Sequence, residues 1–108
     1  MNRGLVGVAI AALLMALSTI ACSQQSSILG RWQATDRPWN IEFLSNGTIY
    51  MSTIGPAKKG TYRVDSNSVL FVDLDDGGRF KATISQPSSD ELVLTDQDRT
   101  FTRFRRVR

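Results

Sequence analysis

From residue 28 onward apolar and polar residues alternate with a period of two, and turn-forming residues interrupt the alternation every few positions. Trp39, Ile41 and Phe43 are spaced by Asn40 and Glu42, and Asn46-Gly47 then supplies a strong short-range hairpin signal. Residues 48–54 form the return strand, broken by Gly55-Pro56. Residues 61–64 lead into a turn at Asp65-Ser66-Asn67. Val69, Leu70, Phe71 and Val72 are apolar at every position, which places them where packing is densest. Asp75-Asp76-Gly77-Gly78 turns the chain into Phe80, Ala82 and Ile84, which alternate with Arg79, Lys81 and Thr83. Residues 86–90 read as a loop, Leu92 and Leu94 as the next strand, Asp96-Gln97-Asp98 as a turn, and residues 100–107 as the last strand. Nothing after Cys22 carries a helical stripe. Counted from Gly30-Arg31-Trp32-Gln33, the pattern predicts about eight short strands. A meander of that number closes most economically into a small up-and-down barrel without edges, with a two-sheet sandwich as the alternative. A chain this short fills such an interior with side chains.

The first residues follow another pattern. Arg3 precedes a compact apolar run over residues 5–17, and small residues follow up to Ala21. This is the layout of a secretory signal peptide, helical in its apolar part and shorter than the roughly 20 residues that span a bilayer. Thr19, Ile20, Ala21 and Cys22 resemble a bacterial lipobox, although Thr19 stands where leucine is usual. The resemblance implies cleavage before Cys22 and acylation of that cysteine. At about 0.8 kcal/mol per buried CH₂, two or more chains anchor a protein stably. Ser23 after the cysteine implies, by the same resemblance, an outer-membrane destination facing the periplasm. Residues 22–27 are small and polar and read as a tether. The organisation is therefore signal peptide 1–21, tether 22–27 and folded domain 28–108.

Composition narrows the chemistry. The 108 residues hold no histidine and one cysteine, which removes histidine-based nucleophile triads, imidazole bases, histidine-ligated zinc and any intrachain disulfide. With Arg3 set aside, twelve basic residues face ten acidic ones, too even a balance to point to nucleic acid. The run Asp73-Leu74-Asp75-Asp76-Gly77-Gly78 fails as a calcium loop, because Gly77 occupies a ligand position and Ile84 stands where a bidentate glutamate is needed. No carboxylate pair or activated serine is recognisable, so the sequence points away from an enzyme and implies no cofactor or metal.

Five of the twelve basic residues fall in the last ten positions: Arg99, Arg103, Arg105, Arg106 and Arg108. Arg99, Arg105, Arg106 and Arg108 form a candidate patch for an anionic partner; the plainer reading is a charged edge strand that resists aggregation. Trp39 and Tyr50 offer an aromatic surface or ordinary packing.

Leu29-Gly30-Arg31-Trp32, Asn46-Gly47-Thr48, Gly60-Thr61-Tyr62 and Phe101-Thr102-Arg103 together resemble the lipocalin-like (calycin-type) small β-barrels of bacterial lipoproteins. The resemblance implies that Trp32 packs in the barrel base with Arg103 across its ring. The alternation agrees in part: Phe101 and Arg103 share a face, and Phe104 falls on the opposite one, exposed unless a bulge resets the register. Two functions follow as expectations. One is a lipid-anchored envelope accessory protein whose filled barrel presents an outer face to a protein or glycan, an inhibitor being a special case. The other is a carrier holding a small apolar ligand in a chamber lined by Phe43, Met51, Phe71 and Phe80.

Overall fold

The computed structural model describes residues 27–108. The signal peptide, Cys22 and residues 22–26 of the tether lie outside the described residues. Eight strands follow one another: β1 (Gly30–Ala34), β2 (Asn40–Phe43), β3 (Thr48–Ser52), β4 (Lys58–Val64), β5 (Val69–Leu74), β6 (Arg79–Ser88), β7 (Glu91–Thr95) and β8 (Phe101–Arg106). Each pairs antiparallel with the next, and β8 returns to β1 through Trp32↔Arg106, Gln33↔Arg105 and Ala34↔Phe104. That pairing closes the barrel and excludes the sandwich.

Alternation sorts the side chains as the period of two requires. Trp32, Ile41, Phe43, Ile49, Leu70, Leu92 and Phe104 are at most 1% exposed and form the centre of the core, joined by Ile28 just before β1. Burying a Val, Leu, Ile or Phe side chain contributes about 1.5–3 kcal/mol relative to leaving it in water. Phe43 meets Tyr62 edge to face at 4.9 Å, and the Tyr62 hydroxyl donates to the Leu44 carbonyl at 2.7 Å. Gly60 is small because it must be. A Cβ there would sit 2.3 Å from the Asp73 carbonyl oxygen on β5.

Four of the hairpin turns share one geometry. In turns 44–48, 65–69, 74–78 and 96–100 the first N–H donates to the fifth carbonyl and the fourth N–H donates back to the first. The fourth residue has positive φ: Gly47 (86°), Ser68 (61°), Gly77 (94°) and Arg99 (68°). This is a three-residue loop with its left-handed position last. An Asn or Asp oxygen closes each turn: Asn46 accepts from the Thr48 N–H, Asp65 from Asn67 and Val69, Asp76 from Gly78, and Asp98 from Thr100.

Three expectations change. β6 runs on through Pro87 to Ser88, so the expected loop 86–90 shrinks to Ser89-Asp90. A register shift between Ser85 and Ser88 accommodates the proline, which has no N–H to give a regular ladder. β3 stops at Ser52 and Ile54 is 88% exposed, beyond the expected core strand. On β5, Leu70 and Val72 face inward while Phe71 faces out, covered by the Arg63 guanidinium at 4.0 Å from its ring centroid. The apolar run is thus two inner residues, Leu70 and Val72, alternating with Val69 and a Phe71 that lies under a cation.

The up-and-down course gives the barrel two different ends. Turns 44–48, 65–69 and 89–90 gather with residues 27–29 at one end, called the base. Segments 35–39, 53–57, 74–78 and 96–100 gather at the other, the mouth.

Candidate functional site

The base is closed by one arginine. Arg106 lies at the end of β8 with Cζ 4.3 Å from the Trp32 ring centroid. Its Nη1 donates to the Leu29 carbonyl at 2.6 Å, Nη2 to Ser27 at 3.0 Å and Nε to Ser89 at 3.0 Å. Trp32 is fully buried and its Nε1 donates to the Ile28 carbonyl at 2.8 Å. A planar, five-donor guanidinium suits this task because it stacks on the indole and reaches three carbonyls at once. The Ser27 hydroxyl donates to Gln86 Oε1, and Gln86 Nε2 returns a bond to the Ser27 carbonyl. The start of the folded domain is therefore clamped to the base.

Arg106, not Arg103, lies across Trp32. The cause is the parity of β8: Thr102 and Phe104 are buried, whereas Phe101 is 55% exposed and Arg103 lies outside with its guanidinium 5.8 Å from the Phe101 ring. Phe104 needs no bulge to reach the core. A sequence signal for this existed. The odd parity would bury Arg103 and Arg105, while the even one buries only Arg106, at a strand end where carbonyls are within reach.

The proposed patch of Arg99, Arg105, Arg106 and Arg108 is not assembled. Arg99 occupies the left-handed position of a mouth turn, Arg106 is spent on the base, and Arg108 pairs with Asp90. Arg105 points outward from β8 between Gln33 and Glu91. Nor is β8 an edge strand, since both its sides are paired. Among the described residues the outward cations Lys59, Arg63, Lys81, Arg103 and Arg105 make no ion pair, whereas Arg31 meets Glu42, Lys58 meets Asp76 and Arg79 meets Asp73.

The mouth is looser. Trp39 packs its ring edge to face on Phe104 at 5.1 Å, yet its buried Nε1–H has no hydrogen-bond partner among the described residues. An open depression of about 840 Å³ is bordered by Trp39, Met51 and Phe80 from the inner face and by Lys81, Asp96 and Asp98 at the rim. Of the four residues expected to line a ligand chamber, Met51, Phe71 and Phe80 border the depression, Phe71 from the outer side of β5, while Phe43 is sealed in the core. Tyr50 lies on the outer face of β3, opposite Lys59, beside a second hollow of about 360 Å³ over β1–β3; it is remote from Trp39 in role.

Three exposed carboxylates at the mouth have local partners. The Arg37 side chain beside Asp36 lowers that carboxyl's pKa, the Gly78 N–H followed by Lys58 lowers that of Asp76, and the Thr100 N–H lowers that of Asp98. Among the described residues no group of three or more His, Cys, Asp or Glu side chains is placed to hold a metal ion. Protein-family models, curated proteins and solved structures were compared with the chain, and none matches it.

Proposed function

We propose that the chain is a lipid-anchored, lipocalin-like accessory protein of the bacterial cell envelope, held through Cys22 at the outer membrane facing the periplasm, and that it acts by binding a protein or glycan on its outer wall rather than by catalysis. One observation carries this reading. The interior toward the base is packed with side chains and closed by Trp32 and Arg106, while among the described residues five outward cations make no ion pair. A filled barrel with uncompensated surface charge is suited to presenting a face, since charge complementarity governs encounter and choice of partner. The clamp on Ser27 supports the arrangement too, because the domain would hang from its tether by the closed end with the mouth turned away from the lipid.

Two measurements test it. Metabolic labelling with an alkynyl fatty acid marks the wild-type chain and leaves Cys22→Ser unlabelled; equal label on both overturns the anchor. Photo-crosslinking residues placed at Thr61, Phe101 and Arg103 capture a periplasmic partner in intact cells. Absence of any crosslink, together with saturable quenching of tryptophan fluorescence by a medium-chain fatty acid, moves the reading to the carrier.

A further inference from the structure

The barrel wall is incomplete beside the mouth. Leu74 N–H donates to the Gly78 carbonyl and Ile84 N–H to Ser68, so the even-numbered residues of β6 bond to β5. The backbone groups of Arg79, Lys81, Thr83 and Ser85 therefore face β7. There the ladder begins only at Thr83↔Thr95 and continues at Ser85↔Val93. The next partner for Lys81 would be Gln97, but that residue is drawn into turn 96–100 by the Asp96–Thr100 and Arg99–Asp96 bonds. Among the described residues nothing pairs with Arg79 or Lys81 from this side. The depression at the mouth opens along this gap, which is why Phe80 and Trp39 from inside and Lys81 from outside border it together.

We propose that an extended acidic peptide docks here as an added strand on the free edge of β6. Two backbone positions, each with a donor and an acceptor, offer the hydrogen bonds on which strand addition depends. Side chains select the partner. Arg63, Phe71 and Lys81 lie directly opposite one another across β4, β5 and β6, giving a cation–aromatic–cation row on the outer face beside the edge. Among the described residues neither cation makes an ion pair, whereas Arg79 is matched by Asp73; Asp96 and Asp98 border the depression from turn 96–100. On the inner face the same edge presents Phe80, which borders the depression together with Trp39. An incoming strand that alternates acidic and apolar residues places its acids beside Lys81 and its apolar side chains at the opening. A second copy of this chain is a poor occupant, because two-fold antiparallel pairing of the edge sets Arg79 and Lys81 against the same cations.

This inference rests on the surface-binding reading and names one place and one chemistry for it. The probe is an acetylated, amidated six-residue peptide alternating Glu and Leu, added to the full chain while amide exchange is followed by NMR. The expected result is at least tenfold slower exchange at the Arg79 and Lys81 amides. Lys81→Glu weakens binding at least tenfold, and the same peptide N-methylated on the amides that face β6 does not bind. Unchanged exchange at both amides overturns the proposal, as does equal binding of the N-methylated peptide or slow exchange before any peptide is added. Crosslinks captured from Phe101 or Arg103 with no change at Lys81 overturn this edge assignment while leaving the surface-binding reading standing.

Discussion

The two tryptophans stand at opposite ends of one barrel and live under different rules. Trp32 at the base is fully buried, bonded through Nε1 and covered by a guanidinium that also binds three carbonyls. Trp39 at the mouth is partly buried and edge-packed on Phe104, and its Nε1–H is left without a partner. Burying a polar group is nearly free when it is bonded and costly when it is not. The base is therefore built for stability, and the mouth carries local cost beside a gap in the wall. Such cost gathers where a protein meets something else.

The comparison breaks most sharply at Trp32. Trp32→Ala removes the largest core side chain and leaves Ile28 and Arg106 without their partner, so unfolding in denaturant should show a loss of about 3–5 kcal/mol. A loss below 1 kcal/mol would mean that the base is not the anchor of the fold. Next comes the arginine pair. Arg106→Met should cost about 2–4 kcal/mol through the unmet carbonyls and the lost stacking, whereas Arg103→Met on the outer face should stay within about 0.5 kcal/mol. Equal effects in paired melts would return Arg103 to the interior. Trp39→Phe should be neutral or up to about 1 kcal/mol stabilising, because it deletes an unbonded donor while keeping a ring against Phe104. A clear destabilisation there would show that the indole N–H is satisfied in solution.

Acid should separate the ends with the smallest effect. Asp36, Asp76 and Asp98 all sit at the mouth and have folded-state pKa values below the ordinary 3.8. A depressed carboxyl contributes stability that is present above its unfolded value and is lost as pH falls through the folded one. Below pH 3.8 the Gly78 and Thr100 amides should therefore begin to lose protection against exchange, while the Arg106 amide, bonded to the Asp90 carbonyl, should keep its protection longer. Uniform loosening of all three amides would deny any difference between the ends.

Much of the fold was legible because a strand's period of two needs only local information. Asn46-Gly47 marked its turn through the left-handed position that glycine fills, and Ile41 with Phe43 marked the buried face of β2. Two strands were ambiguous for a physical reason. β8 has a phenylalanine on each parity, so only its pairing with β1 and β7 decides that Phe104 enters the core and Phe101 leaves it. Val69 to Val72 is apolar on both, and only the neighbouring Arg63 explains how Phe71 is tolerated outside.

The sequence by itself determined an all-β chain of about eight short strands, no histidine chemistry and a single cysteine set behind an apolar run. These follow from residue types and their spacing along one chain. Tertiary structure alone decided that β8 returns to β1, that Arg106 closes the base, that the terminal arginines scatter, and that among the described residues Arg79 and Lys81 are unpaired on the β7 side. Each of those depends on which residues oppose one another across strands distant in sequence. A single-residue slip in such a register would turn every side chain of the strand to the other face.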